Sequence, residues 1–191
     1  ASERLGAVYV LALTTGARQG ELLALRWRDV DLERGTMQVR TSLQWTKAGP
    51  VFSEPKTPRS RRLITLTARA VAALRQHRAA QAEERLRLGR AWEDHDLVFA
   101  NEVGAPMSAS NLLRRSYRRL LRDAGLPHMR FHDLRHTAAT LLLGQGVHPK
   151  IVSEMLGHSQ VGITLDLYSH VTPTMQQQAA AAMDAALGAP P

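Results

Sequence analysis

Residues 132–136 read HDLRH, residues 156–159 read LGHS and residues 165–170 read LDLYSH. In this short part of the chain Tyr168 follows His158 by ten residues, and Arg135 lies upstream of both. A tyrosine hydroxyl with histidines and an arginine nearby supplies the groups that nucleophilic attack on a phosphodiester requires. The chain has no cysteine, and no serine-centred triad competes for the role of nucleophile.

Glycines divide this stretch into three predicted short helices, over residues 131–144, 149–156 and 160–168. His132, Arg135 and His136 are spaced i, i+3 and i+4, so one helix face presents all three. A lone buried histidine is usually a satisfied core residue, but an arginine on the same face packs poorly against apolar side chains. The spacing therefore favours a functional site over a core position.

The composition indicates a globular protein with a polyanionic partner. Among 191 residues, 44% are hydrophobic, which supports a packed core, and 25 basic residues outnumber 17 acidic ones. Arginine supplies 22 of those 25, and its planar fork suits bidentate contact with phosphate. Without cysteine there are no disulfides or thiolate metal sites. With no apolar run of about 18 residues and no signal-peptide pattern, we expect a cytoplasmic protein without membrane contact.

The N-terminal third predicts helices followed by a small sheet. Residues 3–13 have the apolar density of a buried helix, and a second helix follows with leucines spaced for a core face. Residues 36–66 differ in pattern: runs of alternating polar and apolar residues lie on either side of a segment with prolines and glycine. We interpret them as a small antiparallel sheet of two or three strands with a basic hairpin.

The middle of the chain is predicted to be mainly helical. Thr67 is placed to cap a long helix that runs to about Leu88 and ends at Gly89. Residues 90–107 form a connector with a strand-like run at 97–99. The fold class expected is α+β, mainly α-helical, with helices around the small sheet.

A further helix is predicted to open at Ser108 and to close near Gly125. It carries arginines at helical spacing, which could form a solvated face or a DNA-binding face. With the overall positive charge, we favour DNA contact. These arginines are Arg114, Arg115, Arg118, Arg119 and Arg122.

A metal site is an alternative for the HDLRH motif. Its two histidines and acidic second position approach the HExxH pattern of zinc peptidases. Asp133, however, is one methylene shorter than the usual glutamate, and Arg135 would set a positive charge between the two ligands. We therefore expect no metal and no cofactor.

Three runs together resemble the catalytic domain of tyrosine recombinases, the phage integrase family. They are residues 14–32, which include Arg18 and Glu21, residues 56–62, which read KTPRSRR, and residues 132–170. They occur in the family's order and cover nearly the whole chain. The resemblance implies the fold of that catalytic domain, helices around a small antiparallel sheet.

The resemblance also implies a role for each matching residue. Arg18 and Arg135 would clamp the scissile phosphate, and His158 would hydrogen-bond it. Tyr168 would be the nucleophile and Lys56 the general acid for the leaving 5′ oxygen. His132 would assist proton transfer at the tyrosine. Supporting positions are Glu21 and His136, and DNA-binding positions are Arg59, Arg61, Arg114, Arg115, Arg118 and Arg119. Lys47 is the second choice for the lysine role.

The family implies a site-specific recombinase or integrase that acts through a 3′-phosphotyrosine intermediate without metal or ATP. Its partner would be double-stranded DNA carrying an attachment site. We expect a monomer in isolation, a tetramer on DNA and accessory DNA-bending proteins. Alternatives are a type IB topoisomerase, which shares the chemistry but relaxes supercoils, and a non-catalytic DNA-binding module. The LGHS run and the Thr164–Tyr168 run favour the integrase.

The domain organisation expected is a catalytic domain over residues 1–172 and a helical tail over residues 173–191. The tail is rich in small residues and would bury little area on its own domain. We therefore expect it to dock on a neighbouring protomer. The chain starts directly in an amphipathic run, so we expect an excised C-terminal domain whose N-terminal arm and core-binding domain are absent.

Overall fold

The computed structural model describes residues 4–54, 61–158, 162, 164 and 181–188. Most of the predicted helix over residues 160–168 lies outside this range. So do Lys56, Arg59 and Tyr168 among the predicted site residues. Of the predicted tail, residues 181–187 are described, and they are helical and exposed.

The fold is mainly helical with small antiparallel sheets, so the predicted class is confirmed. Within the described part, its helices are α1 (Gly6–Thr15), α2 (Gln19–Leu23), α3 (Ala68–Leu88), α4 (Ala109–Asn111), α5 (Arg118–Asp123), α6 (Asp133–Gly144) and α7 (Pro149–Leu156). Its strands are β1 (Val30–Asp31), β2 (Thr36–Val39), β3 (Ser42–Thr46), β4 (Gly49–Ser53) and β5 (Arg62–Thr65).

Helix α1 is the central element of the core. It packs against both α3 and α6, and Val8 and Leu11 on it are fully buried. The helix begins and ends later than the predicted range of 3–13. Thr14 and Thr15 extend it because their hydroxyls donate to the carbonyls one turn earlier, at 2.7 and 2.6 Å, so the threonines do not break the helix.

The small antiparallel sheet predicted over residues 36–66 is confirmed, but its strands are divided between two separate sheets. A three-stranded sheet has the order β1-β2-β5, and a separate hairpin joins β3 to β4. Strand β1 lies before the predicted range. Burial explains the pairing: Met37 and Val39 on β2 face the core, and so do Arg62 and Ile64 on β5. Pairing β2 with β5 places both buried faces on the same side.

Helix α3 confirms its predicted start and end. The Thr67 hydroxyl accepts the Ala70 N–H at 3.2 Å, and Gly89 ends the helix with a positive φ of 53°. The run at 97–99 is buried but is not a strand. Its backbone pairing is limited to one antiparallel bridge, between Leu97 and Arg26. His77 and Gln81 on α3 hydrogen-bond the Val98 carbonyl at 2.7 and 3.1 Å, so side chains satisfy a carbonyl that a longer strand would have paired.

The predicted helix from Ser108 to Gly125 is also present. The Ser108 hydroxyl accepts the Asn111 N–H at 3.2 Å, and a π-helical segment, Leu112–Tyr117, joins α4 to α5. None of the described helices is long and apolar enough to cross a membrane.

Candidate active site

Four helix ends meet at one small cavity. Helices α1 and α7 end there, and α2 and α6 begin there. The cavity measures about 170 Å³, several times the share of roughly 30 Å³ that one water molecule occupies in the liquid. Its lining consists of Arg18, His132, Arg135, His136, Ala139, Leu156 and His158. The structure thus brings together five of the predicted site residues.

A larger cleft lies elsewhere, between β1, β2 and α3, with a volume of about 900 Å³. Two ion pairs offset part of its charge, since Arg40 contacts Asp29 at 2.8 Å and Arg75 contacts Glu33 at 2.9 Å. Three carboxylates line this cleft, whereas the described lining of the smaller cavity has two arginines and no carboxylate. The smaller cavity is therefore the better candidate for binding an anion.

Two arginines of the site are held by backbone carbonyls at helix C-termini. Arg135 on α6 donates from Nη1 to the Gly16 carbonyl, which follows α1, at 2.7 Å. Arg18, which precedes α2, donates from Nη2 to the Gly157 carbonyl, which follows α7, at 3.2 Å. A helix C-terminus carries partial negative charge, so each guanidinium is positioned by a complementary dipole.

Both of these positions require glycine. Gly16 has a φ of +62°, and a Cβ there would lie 2.2 Å from Leu156 Cδ2. Gly157 has a φ of +69°, and a Cβ there would lie 2.8 Å from Arg62 Nη1. Close approach and left-handed backbone together exclude other side chains. The glycines allow α1 and α7 to bring their last carbonyls to the arginines.

Glu21 contacts both Arg18 and Arg62 and is only 6% exposed. It accepts hydrogen bonds from the Arg18 backbone N–H at 2.8 Å and from Arg18 Nη1 at 2.9 Å. Arg62 donates to the same carboxylate at 2.9 and 3.2 Å. Burial alone would raise the pKa of Glu21, but Arg62 and Arg18 outweigh burial and hold that pKa below its ordinary value. The carboxylate therefore stays ionised and fixes Arg18.

Arg62 is a site residue for which the sequence analysis predicted no role. It is 8% exposed, binds Glu21, and donates from Nε to the Met155 carbonyl at 2.6 Å. It thereby ties β5 to α2 and to the last turn of α7. The alternating side-chain pattern of β5 could have indicated that Arg62 is buried, since Arg62 shares the inward face of the strand with Ile64. An arginine on a core face needs a buried carboxylate, and Glu21 is that carboxylate.

Arg135 is 4% exposed, and the buried Nη2 of its guanidinium has no hydrogen-bond partner among the described residues. Burial, followed by the charges of Arg18 and Arg62, lowers the pKa of Arg135 to about 9, and Glu21 partly offsets this. The guanidinium is still protonated at neutral pH. Among the described residues of the site, one carboxylate, Glu21, therefore faces three guanidiniums, and this excess of positive charge suits an anion.

Two histidines of the site, His132 and His158, are held neutral. Burial, followed by Arg135, Arg18, Arg62 and His136, lowers the pKa of His158 to about 4. Burial and the charges of His136 and Arg135 likewise lower the pKa of His132. The rings of His132 and His136 meet edge to face, with centroids 4.8 Å apart. A neutral imidazole offers one N–H to donate in a hydrogen bond and one bare nitrogen to accept one.

The zinc alternative for HDLRH conflicts with the contacts of its acidic residue. Asp133 accepts hydrogen bonds from the Arg130 backbone at 2.8 Å and from Arg130 Nη2 at 2.9 Å. Its carboxylate is therefore engaged outside the cavity. Among the described residues, no three histidines or carboxylates are grouped as metal ligands.

The remaining predicted DNA-binding residues that the structure describes lie outside the cavity. Arg61 is exposed and pairs with Glu54. An exposed arginine cluster lies on the segment that joins α4 to α5 and on α5 itself, and it consists of Arg114, Arg115, Arg118 and Arg119. Arg119 contacts Asp123 at 3.4 Å, a surface pair that contributes little to stability.

Known proteins resemble the chain over almost its entire length. The sequence profile of the Phage integrase family matches residues 1–175. A XerC-like tyrosine recombinase from Caldanaerobacter subterraneus is 38% identical, across 92% of this chain and 48% of its own length. An integrase from Streptomyces ambofaciens is 37% identical, across 93% of this chain and 47% of its own length. The chain therefore spans about half the length of these relatives.

Solved structures share the fold. The Tn1549 transposon integrase, in complex with circular intermediate DNA, has a TM-score of 0.78 at 24% identity, with 94% of this chain and 60% of that chain covered. The XerA recombinase has a TM-score of 0.68 at 26% identity, with 95% and 58% covered. Profile, relatives and fold agree with the geometry of the arginine site, and the chain belongs to the phage integrase family of tyrosine recombinases.

Proposed function

We propose that this chain is the catalytic part of a site-specific DNA recombinase that cleaves and rejoins strands through a covalent 3′-phosphotyrosine at Tyr168. The observation that carries the proposal is the pair Arg18 and Arg135, fixed by helix-end carbonyls in a cavity with excess positive charge. Relatives named integrase and tyrosine recombinase support the same activity.

The two arginines would bind the scissile phosphate. In phosphoryl transfer, negative charge spreads over the equatorial oxygens, so donors that are fixed beforehand stabilise the transition state. No described residue accepts a hydrogen bond from Nη2 of Arg135, so Arg135 can offer these N–H groups to a phosphate. Because Gly16 and Glu21 already hold the two guanidiniums, little reorganisation is needed when the phosphate arrives.

The reaction would exchange one phosphodiester for another. The Tyr168 oxygen attacks phosphorus, the bond from phosphorus to the 5′ oxygen breaks, and Lys56 gives that oxygen a proton. A new 5′ hydroxyl later reverses these steps, and the covalent intermediate conserves the bond energy, so no ATP is consumed. His132 would help transfer the tyrosine proton, and His158 would hydrogen-bond the phosphate. Both histidines have lowered pKa values, so near pH 7 each ring is neutral and offers one N–H donor and one bare nitrogen acceptor.

The partner would be double-stranded DNA that carries an attachment site, bound in the bacterial cytoplasm. Exposed arginines would contact the backbone phosphates, whereas the cavity binds only the scissile one. These contacts would come from Arg59, Arg61, Arg114, Arg115, Arg118 and Arg119. The protein would be a monomer alone and a tetramer on DNA, with accessory DNA-bending proteins.

The domain proposal is a catalytic unit over residues 1–172 and a tail over residues 173–191 that docks on a neighbouring protomer. The described part of the tail, residues 181–187, is an exposed helix, which leaves it free to bind another surface. Truncation after Thr172 should weaken the pairing of two DNA sites more than binding to one site. Equal loss of both would contradict docking between protomers.

The alternative functions make different predictions. A type IB topoisomerase would relax supercoiled DNA without exchanging partners between two sites. A binding-only module would not need a buried carboxylate and two helix ends to hold its arginines in a cavity. The proposal therefore favours the strand-exchange enzyme.

Covalent capture on nicked DNA tests the proposal. The DNA carries the element's attachment site with a nick beside the scissile phosphate, so the released 5′ fragment diffuses away and the adduct accumulates. We expect a protein–DNA band on a denaturing gel that persists in EDTA. No band from protein that binds the DNA would contradict the proposal, and loss of the band in EDTA would revive a metal mechanism.

A further inference from the structure

A buried threonine contacts the ring of His158. The Thr164 hydroxyl lies 2.8 Å from Nδ1 of the His158 ring, and Thr164 is fully buried. The family resemblance gives His158 a role at the phosphate and gives Thr164 none. The Thr164 hydroxyl is nevertheless within hydrogen-bonding distance of the His158 ring.

The His158 ring is neutral at the pH of the reaction. It is partly buried and lies near three arginines, Arg135, Arg18 and Arg62, all of which disfavour a second proton on the ring. A neutral imidazole carries a single N–H, on Nδ1 or on Nε2. Which nitrogen carries it depends on the hydrogen bond made by the other.

The choice of nitrogen matters for binding a phosphate. Phosphate oxygens only accept hydrogen bonds, so a ring nitrogen that faces the phosphate must carry the hydrogen. With Nδ1 occupied by Thr164, Nε2 is the nitrogen left to face the cavity. Nδ1 must then be bare, and it needs a donor as its partner. A hydroxyl is such a donor, whereas a backbone carbonyl would demand the opposite tautomer.

We propose that Thr164 is a positioning residue: its hydroxyl donates to Nδ1 of His158, which places the hydrogen on Nε2 and directs that N–H to the scissile phosphate. The phosphate contact rests on the proposed function, but the tautomer of His158 belongs to the free protein. Thr164 acts through His158 and does not touch the DNA.

The test is a comparison of Thr164→Val with Thr164→Ser in the 191-residue chain. Valine keeps the shape of threonine and loses the hydroxyl, whereas serine keeps the hydroxyl. Thr137→Val is the matched control, because the Thr137 hydroxyl donates to the Asp133 carbonyl at 2.9 Å and does not contact His158. Thermal unfolding of each variant reports any loss of the fold itself.

The first readout is the His158 tautomer in the absence of DNA, from the 15N shifts of both ring nitrogens at pH 7. We expect hydrogen on Nε2 in the unmodified chain, in Thr164→Ser and in Thr137→Val, and a mixture of tautomers in Thr164→Val. A hydrogen on Nδ1 in the unmodified chain overturns the proposal. So does an unchanged tautomer in a folded Thr164→Val protein.

The second readout is the single-turnover rate of covalent capture on nicked DNA. Thr164→Val should slow capture about tenfold, equivalent to about 1.4 kcal/mol in the barrier, while affinity for uncleaved DNA stays within about twofold. Thr164→Ser should restore most of the rate. An unaltered rate in Thr164→Val overturns the proposal. Absence of capture by the unmodified chain would instead count against the proposed function. The tautomer measurement would still test the role of Thr164, because it needs no DNA.

Discussion

Replacing Glu21 with glutamine tests whether this buried carboxylate holds the site together. Glu21 is 6% exposed and receives four hydrogen bonds, two from Arg18 and two from Arg62. Glutamine keeps the size of the side chain but removes the charge. Its amide nitrogen is a donor, and it would face the donors of the two arginines.

The magnitude follows from the burial of Arg62. With a side chain only 7% exposed, Arg62 cannot recover its lost ion pair by turning to water. Removing one partner of a buried pair costs about 3–5 kcal/mol, and the oxygen that glutamine retains places the expected loss near the lower end, at about 3 kcal/mol. With a urea m-value of about 2 kcal/mol per M, the unfolding midpoint should fall by about 1.5 M.

The assay is urea unfolding followed by circular dichroism, with Glu33→Gln as the matched control. Glu33 pairs with Arg75 at the same 2.9 Å distance, but the two side chains are 88% and 56% exposed. That variant should lose less than about 1 kcal/mol. Combining Glu21→Gln with Arg62→Met should cost less than the two single changes added together, because the buried cation is removed together with its carboxylate partner. A Glu21→Gln midpoint that equals the Glu33→Gln midpoint would refute the reasoning.

Three further predictions concern the cavity. Gly16→Ala should lower the free energy of unfolding by about 3 kcal/mol, through backbone strain and the clash with Leu156. In the same assay Gly146→Ala should cost about 1 kcal/mol, because Gly146 has a φ of +77° and nothing lies within 4 Å of the new Cβ. Equal losses would contradict the close approach of Gly16 to Leu156. His158 is protonated in the unfolded chain below its ordinary pKa of 6.5, but in the folded chain only below about 4. Its contribution to stability is therefore lost as the pH falls from 6.5 to 4, and the Tm of His158→Gln should fall less steeply than that of the unmodified chain over this window; parallel curves would show that the pKa of His158 is not lowered. Arg135→Lys should reduce covalent capture on nicked DNA by at least about a hundredfold, because the single ammonium nitrogen lacks the planar fork that lets one guanidinium nitrogen bond the Gly16 carbonyl while the other faces a phosphate. Near-normal capture would remove Arg135 from this role.

Local patterns allowed much of the helical structure to be predicted. Thr67 and Ser108 cap helices because their hydroxyls bond N–H groups only three residues away, and that spacing is readable in the sequence. Helix α7 has the predicted bounds because Pro149 starts it and Gly157 ends it. In each case the interaction that sets the boundary lies within a few residues of it.

Long-range pairing was not predictable in the same way. Whether β2 pairs with its neighbour β3 or with the distant β5 depends on which face each strand buries, and the alternating runs of residues 36–66 fit both arrangements. The run at 97–99 is strand-like in sequence, but its backbone pairing stops at one antiparallel bridge, between Leu97 and Arg26. His77 and Gln81 on α3 bond its carbonyls where a longer strand would have continued the pairing.

Some features of the candidate site were likewise predictable from local sequence, and others were not. The spacing of His132, Arg135 and His136 predicted a shared face, and all three line the cavity. The role of Arg62 depends on Glu21, which lies 41 residues away in the sequence. The contact between Gly16 and Leu156 likewise exists only in the folded chain. Such contacts require the tertiary structure.

The covalent linkage at Tyr168 tests the central claim most directly. The adduct formed on nicked attachment-site DNA is digested with nuclease and trypsin, and the modified peptide is sequenced by mass spectrometry. The account predicts a 3′-linked nucleotide phosphate on Tyr168, and no adduct from Tyr168→Phe although that variant still binds the DNA. A nucleotide on any other residue, or an adduct that persists in Tyr168→Phe, would contradict it.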